Sequence, residues 1–258
     1  MIEDSIRKEI EVRLQRTEQE HNVKILYAVE SGSRAWGFAS TNSDYDVRFV
    51  YAHAADWYLS IEEQRDVIEY PITDEIDLNG WEIRKALRLF QKSNPSIMEW
   101  LHSPIVYQCD GKFAPALRAQ VNAQYSPVRA IHHYLSMAKT NYRGYLRNTQ
   151  VPLKKYFYVL RPILAANWVE RYSRMPPILF SELLVLLTSE NHVYEAVMKL
   201  LDMKTQATEK ETIAAIPELN SYIERELQQL SDFQRTDQVR YERSELDRVF
   251  NRAIIWGC

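Results

Sequence analysis

Two short β-prone segments and the polar loop between them constrain this chain most. VKILYAVE at residues 23–30 and DVRFVYA at residues 46–52 are apolar and rich in β-branched and aromatic residues, so each predicts a strand. The loop between them contains two of the chain's six glycines and, at its end, two aspartates one residue apart. Such a loop combines backbone freedom at its start with paired negative charge at its end.

The rest of the chain divides into a mixed N-terminal part and a helical C-terminal part. Two further strands are predicted at VIEY (67–70) and EIDLNGW (75–81). Helices are predicted at 2–20, 81–93, from Asn94 onward, and at 127–148, 153–174, 179–189, 191–203, 217–231 and 236–254. We therefore expect an α+β fold, with a sheet domain at residues 1–110 and a helical domain at residues 111–258.

Composition excludes several classes of protein. No stretch approaches the roughly 20 consecutive apolar residues that span a bilayer, so we expect no membrane partner. The charged first residues, MIEDSIRKEIEV, lack the apolar region of a secretory signal peptide. Two cysteines, Cys109 and Cys258, form neither a disulfide framework nor a zinc site. These observations predict a cytoplasmic protein.

Gly32 and Ser33 directly follow the first predicted strand. A glycine there lets the backbone turn sharply and approach a ligand without a Cβ in the way. Backbone amides in a tight turn form a concave site for an anion, and the Ser33 hydroxyl adds a donor. An ordinary turn explains the same two residues, so the interpretation as an anion site depends on which other residues lie close to the turn.

Asp44 and Asp46 lie two apart at the start of the second predicted strand, so their side chains point to the same face. Two carboxylates at this spacing repel each other unless a cation lies between them. Mg²⁺ prefers oxygen ligands and commonly uses one or two carboxylates together with substrate phosphates. In the alternative interpretation, Asp44 caps a turn and Asp46 pairs with an arginine such as Arg34.

A third carboxylate, Asp77, lies between two apolar residues of a later predicted strand. Its neighbours face the core, so Asp77 faces the other way and meets Asp44 and Asp46 if the two strands are adjacent. Three carboxylates around two divalent ions suit in-line phosphoryl transfer. Glu75 lies on the same predicted face and competes for the third position, and a solvated strand face is the remaining alternative.

Residues 111–180 form a basic segment with eleven Lys and Arg and a single acidic residue, Glu170. Cations recur every four residues along one predicted helix and seven apart along the next, with tyrosines between them. This pattern suits an anionic partner, because cations contact phosphates and tyrosines stack on bases. The cations are Lys139, Arg143, Arg147, Lys154 and Arg161. A solvated helix surface is the alternative.

The string ESGSRAWGFASTNSDYDVRFVY resembles the signature of the DNA polymerase beta-type nucleotidyltransferase superfamily. That signature is a Gly-Ser after the first core strand, about ten residues, Asp-x-Asp on the next strand and a third Asp on a later strand. With DLNGWEIRKAL, NPSIMEWLHSP and KKYFYVLRP, the sequence is similar to a narrower group, the RNA-repair-pathway polymerase-beta-like family of small bacterial predicted nucleotidyltransferases. The resemblance covers roughly residues 20–190 and implies a nucleotidyltransferase sheet domain followed by a helical domain.

The resemblance also implies roles for individual residues. Gly32 and Ser33 would hold the β- and γ-phosphates of a nucleoside triphosphate, and Asp44 and Asp46 would bind Mg²⁺ (or Mn²⁺). Asp77 would complete the metal site and help deprotonate the acceptor hydroxyl. Further candidates for phosphate binding are Arg34, Lys154, Lys155 and Arg161. The implied reaction transfers a nucleoside monophosphate to an acceptor, with RNA as one candidate, and releases pyrophosphate.

Two other functions stay open from the sequence. A non-catalytic RNA- or nucleotide-binding module would use the basic segment and not the acids. An antitoxin-like protein would modify or mask a protein partner. Three mutually repelling carboxylates favour catalysis, because a pure binding module has no reason to keep them.

Overall fold

A five-stranded mixed sheet forms the N-terminal part of the molecule. The computed structural model describes residues 2–206, 211–234, 236 and 243–255. The strands of the sheet are β1 (Lys24–Glu30), β2 (Tyr45–Ala52), β3 (Val67–Glu69), β4 (Ile76–Glu82) and β5 (Val106–Cys109). Their order is β3-β4-β2-β1-β5, with β2 and β4 parallel and the other neighbours antiparallel. The expected α+β class is confirmed.

Twelve α-helices are described, and most of them follow the sheet in sequence. They are α1 (Asp4–His21), α2 (Gly32–Ala35), α3 (Ile83–Gln91), α4 (Pro95–Leu101), α5 (Phe113–Arg118), α6 (Val121–Gln124), α7 (Pro127–Tyr145), α8 (Leu153–Tyr172), α9 (Phe180–Leu183), α10 (Asn191–Gln206), α11 (Pro217–Ser231) and α12 (Arg243–Ile254). As predicted, Asn94 caps α4, and its side chain accepts a hydrogen bond from the backbone N–H of Ser96. No helix within the described ranges is long and apolar enough to cross a membrane.

The alternation of side chains along β2 decides which face of the sheet carries the polar residues. Val47, Phe49 and Tyr51 share one hydrophobic cluster with Ile10 and Leu14 of α1. Because successive side chains point to opposite faces, the aspartate and the arginine that alternate with these apolar residues lie on the face away from α1. That second face is the one covered by the later helices.

Helix α8 lies at the centre of the larger hydrophobic cluster. Twelve of its 20 residues are buried, which explains why it is apolar around most of its circumference. The cluster joins Val29 of β1 to Phe157 and Leu160 of α8, so one core extends across the sheet and the helices. The division into domains at about residue 110 stays a prediction.

Several short elements differ from the sequence-based expectation. Strand β5 was not predicted, and the expectation of helices alone beyond residue 110 was wrong. Strands β6 (Gln150–Pro152) and β7 (Thr212–Ala214) pair there in a second, antiparallel sheet. These three strands have only three or four residues each, so alternation gives little signal for them. The helix predicted at 179–189 is α9 followed by a 3₁₀ turn at Leu184–Leu187, and residues 237–242 of the last predicted helix lie outside the described residues.

Candidate functional site

The turn after β1 brings the backbone of Gly32 against the side chain of Asp46. Gly32 has a φ of +59°, a left-handed conformation that glycine adopts without strain. A Cβ at this position would lie 2.1 Å from Oδ2 of Asp46, so no other residue fits without displacing the carboxylate. A hydrogen bond of 2.8 Å from the Ser31 N–H to the Asp46 carbonyl oxygen connects the start of this turn to β2. Ser33 is buried beside it.

Asp46 and Asp77 face each other across the parallel strands β2 and β4. They are direct partners in the strand register, as the sequence predicts if these strands are adjacent. Between them lies the guanidinium of Arg48. Its Nη2 donates to Oδ1 of Asp46 at 3.0 Å and to Oδ2 of Asp77 at 2.6 Å. Two carboxylates therefore converge on one cation, and that cation is a side chain of the same strand.

Sequence reasoning missed Arg48, although a signal for it was present. It is two residues beyond Asp46, so it shares the same strand face. The alternative pairing was assigned to Arg34, which the structure places elsewhere. Arg34 donates to the carbonyl oxygens of Ser43 at 2.5 Å and Asp44 at 3.2 Å, and its guanidinium lies 3.8 Å from the centroid of the Tyr45 ring. Arg34 thus supports the loop that leads into β2.

The remaining acids near the site have distinct positions. Asp44 is half-buried at the end of the loop, one residue before β2. Glu75 is exposed in the turn before β4 with a φ of +62°, so its side chain does not continue the strand alternation with Asp77. No group of three or more His, Cys, Asp or Glu side chains arranged to hold a metal ion occurs among the described residues. The converging carboxylate oxygens nevertheless fit a hard cation, because two of them already surround one positive charge.

A buried carboxylate, Glu30, supports the site from the end of β1. Its Oε1 accepts a hydrogen bond from the Asp46 backbone N–H at 2.9 Å, and its Oε2 accepts from the Tyr107 hydroxyl at 2.5 Å. Burial raises the pKa of Glu30 to about 7, and these two hydrogen bonds oppose that rise. The sequence did not indicate a role for Glu30, because an acidic residue at the end of an apolar strand is usually exposed to solvent.

The face that carries Asp46 and Arg48 opens into a cavity of about 510 Å³. This volume lies within the usual range for small-molecule sites. The sheet contributes one wall, and α3, α4, α7 and α8 contribute the others. Its aromatic lining comes from Trp36, Trp81, Trp100 and Tyr158. The cavity therefore combines charged groups, Asp46 and Arg48 among them, with aromatic rings.

A buried ion pair holds the helices against this cavity. Nη1 of Arg161 on α8 donates to Oε1 of Glu99 on α4 at 2.7 Å, and Arg161 is only 1% exposed. Glu99 also accepts from the Trp36 indole N–H at 3.0 Å, and the Arg161 guanidinium lies 4.4 Å from the Trp36 ring centroid. The structure thus places Arg161, a predicted phosphate ligand, inside a buried charge pair.

The other predicted cations lie nearer the surface. Lys155 has its Nζ 4.0 Å from the ring centroid of Tyr145 and 5.0 Å from that of Tyr158, which lines the cavity. Lys154 is half-buried at the start of α8. The stripe predicted on one helix is interrupted, because α7 ends at Tyr145. The stripe residues are Lys139, Arg143 and Arg147, of which the last two are exposed.

Comparison with known proteins assigns the chain to a family. The family described as "RlaP: RNA repair pathway DNA polymerase beta family" matches residues 6–252. The chain belongs to this family. A member of the RNA repair pathway DNA polymerase beta family is expected to be nucleotidyltransferase-like, and the resemblance drawn from the sequence is confirmed.

Two individual proteins are similar to this family member. "Uncharacterized protein YcgL" of Bacillus subtilis (strain 168) is 44% identical over 242 residues, which cover 94% of this chain and 92% of that protein. A solved structure, a nucleotidyltransferase-like protein from Exiguobacterium sibiricum 255-15, has a TM-score of 0.31 and 11% sequence identity. It covers 86% of this chain and 73% of that chain, and a similarity of this degree carries no argument about function.

Proposed function

We propose that this protein is a Mg²⁺-dependent nucleotidyltransferase that transfers a nucleoside monophosphate from a nucleoside triphosphate to an acceptor hydroxyl. The observation that carries the proposal is the register pair Asp46–Asp77, which directs two carboxylates at one cation position beside the Gly32 turn. The family name supports RNA as the acceptor.

The proposed metal site consists of Asp46 and Asp77. Asp44, two residues before Asp46 along the chain, is the proposed third ligand. Carboxylate oxygens are suitable ligands for Mg²⁺ or Mn²⁺. When bound, the metal would neutralise charge on the triphosphate and lower the pKa of the acceptor hydroxyl. Arg48 neutralises the same carboxylates in this structure, so we expect it to compete with a divalent ion for them.

The chain's own residues would position the reacting groups. The tight turn at Gly32 and Ser33 would hold the β- and γ-phosphates through backbone amides and a hydroxyl. The acceptor oxygen would form a bond to the α-phosphorus while the bond from that phosphorus to the pyrophosphate oxygen breaks. Asp77 would accept the proton of the acceptor hydroxyl, and pyrophosphate would leave from the turn.

The test is a transfer assay on the purified chain with each of the four α-labelled ribonucleoside triphosphates. The acceptors are RNA, the protein itself and candidate protein partners, in Mg²⁺ or Mn²⁺. We expect Asp46→Asn and Asp77→Asn each to lower transfer at least about 100-fold, because the reacting groups lose their positioning. Glu75→Gln is the matched control, since it removes an exposed acid next to the same strand, and it should retain transfer. No labelled product from any nucleotide and acceptor would reject the proposal.

A second candidate is a non-catalytic module that binds RNA or nucleotides. The observation that favours it is Arg48, whose guanidinium gives both carboxylates a counter-charge from the chain itself. This function predicts nucleotide or RNA binding that persists in EDTA and in Asp46→Asn. A binding affinity that falls with EDTA, accompanied by transfer in Mg²⁺, would exclude it.

A further inference from the structure

Strand β4 presents a row of side chains on one face of the sheet, and two of them line the cavity. Asp77, Asn79 and Trp81 alternate with buried apolar or small residues, so they share one face of the sheet. At about 3.3 Å per residue, the strand carries Trp81 roughly 13 Å from Asp77. Asn79 and Trp81 both line the cavity that also contains Gly32 and Asp46. The aromatic ring therefore lies along the wall at a distance from the carboxylates that part of a nucleotide can span.

Trp81 packs against a second indole ring and also contributes to the cavity wall. Its ring centroid lies 4.0 Å from that of Trp100, with an angle of 35° between the ring planes. Trp100 is only 4% exposed and belongs to the large hydrophobic cluster, so it forms a fixed support. Trp81 itself is half-buried and contributes to the cavity wall. An indole that is packed against a buried ring and borders a cavity is a suitable platform for a planar ring.

Polar groups lie beside this platform. Glu69 of β3 is the register partner of Asn79, and the Asn79 side-chain amide donates to Oε1 of Glu69 at 3.3 Å. Both residues line the cavity. An amide offers a carbonyl acceptor and two N–H donors, and a carboxylate offers acceptors only. Together they present donors and acceptors next to an aromatic ring, which is what the hydrogen-bonding edge of a nucleobase requires.

We propose that Trp81, with Asn79 and Glu69 beside it, forms a nucleobase-binding subsite. The base stacks on the indole and directs its polar edge towards the amide and the carboxylate. The inference rests on the proposed function in one respect, because the nucleotide that carries the base reacts at Asp46 and Asp77. The base belongs either to the nucleoside triphosphate or to the terminal nucleotide of the acceptor, and the experiment below separates these two sources.

The experiment measures binding to the full chain by titration calorimetry. The probes are the four ribonucleoside triphosphates, inorganic tripolyphosphate and a short single-stranded RNA. The variants are Trp81→Leu and Trp81→Phe. Trp57→Leu is the matched control, because Trp57 is also half-buried and stacks at 4.0 Å on another ring, that of His53, but does not line the cavity.

We expect Trp81→Leu to weaken the binding of either the nucleoside triphosphates or the RNA about 5- to 150-fold, which is the range for one base stacked on an aromatic ring. Tripolyphosphate, which has no base, should bind equally to the wild type and the variant. Trp81→Phe should recover most of the affinity, and Trp57→Leu should match the wild type. A loss confined to the triphosphates assigns the base to the nucleotide donor, and a loss confined to RNA assigns it to the acceptor.

Two results would overturn the subsite. One is unchanged binding of both nucleotides and RNA by Trp81→Leu. The other is an equal loss for tripolyphosphate, which would show general damage to the cavity. Failure of the proposed function is distinguishable, since stacking that depends on Trp81 without any labelled transfer would reject catalysis and retain the subsite.

Discussion

Replacing Gly32 with alanine tests whether the turn and the carboxylate of Asp46 act as one unit. The substitution has two separable costs. Placing alanine in the left-handed region costs about 1–2 kcal/mol. The new Cβ would also lie 2.1 Å from Oδ2 of Asp46, whereas ordinary contact begins at 3.4 Å. The oxygen must therefore move by about 1.3 Å, the difference between these two distances.

That movement weakens the hydrogen bond between Asp46 and Arg48, which adds about 1.5–3 kcal/mol for a bond between charged groups. The total predicted loss in free energy of unfolding is about 2.5–5 kcal/mol. Gly111→Ala isolates the first cost, because Gly111 has a φ of +73° and its added Cβ would meet nothing within 4 Å. We expect it to cost only about 1–2 kcal/mol.

The assay is urea unfolding of the wild type and both variants, followed by labelled transfer at a temperature where all three are folded. Gly32→Ala should lose transfer about 100-fold, because a displacement near 1 Å at a reacting group has an effect of that size. Gly111→Ala should retain it. Equal destabilisation by the two variants, with transfer preserved in Gly32→Ala, would refute the argument that Gly32 is required for the position of Asp46.

Three further perturbations have defined outcomes. Arg48→Gln should lower the free energy of unfolding by about 1.5–3 kcal/mol without metal, since two carboxylates lose their counter-charge. Added Mg²⁺ should stabilise this variant more than the wild type. Equal stabilisation of the two proteins in urea titrations would contradict the competition between Arg48 and Mg²⁺ for one site. Gly80→Ala should cost about 1–3 kcal/mol by overpacking, because its Cβ would lie 2.1 Å from the Phe49 ring, and an unchanged urea midpoint would be inconsistent with this packing. Burial lowers the pKa of His53 to about 4 from an unfolded value near 6.5. Between about pH 6.5 and pH 4 the unfolded state therefore binds more protons than the folded state, so the free energy of unfolding should fall as the pH decreases through this range. His53→Gln should show a smaller fall in urea midpoint between pH 7 and pH 4.5, and an identical fall would rule out this source.

The sequence predicted the main sheet well where alternation is long enough to read. Val47, Phe49 and Tyr51 identified the buried face of β2, and this in turn placed Asp46 on the opposite face. The adjacency of β2 and β4 was only a condition of the three-acid hypothesis, because strand order depends on long-range packing. The structure satisfies that condition for Asp46 and Asp77.

The misses have two physical causes, a partner far away in sequence for Arg161 and a local change in backbone direction for Glu75. Arg161 was expected to face a ligand because it lies in a basic helix. Its actual partner, Glu99, is 62 residues earlier, and no periodicity within the helix reveals a buried ion pair of this kind. Glu75 was expected on the face of Asp77, but a positive φ in the preceding turn redirects the chain just before the strand begins.

The ion pair between Glu99 and Arg161 has a mechanical consequence for access to the cavity. It joins α4 to α8, and through Trp36 it reaches the residues that follow the Gly32 turn. Separating α8 from α4 would break the contact between these two buried charges. Hinge-like opening along this seam is therefore unfavourable. We expect substrates to enter from the side of β3 and β4, with the junction of α4, α8 and the turn acting as a fixed corner.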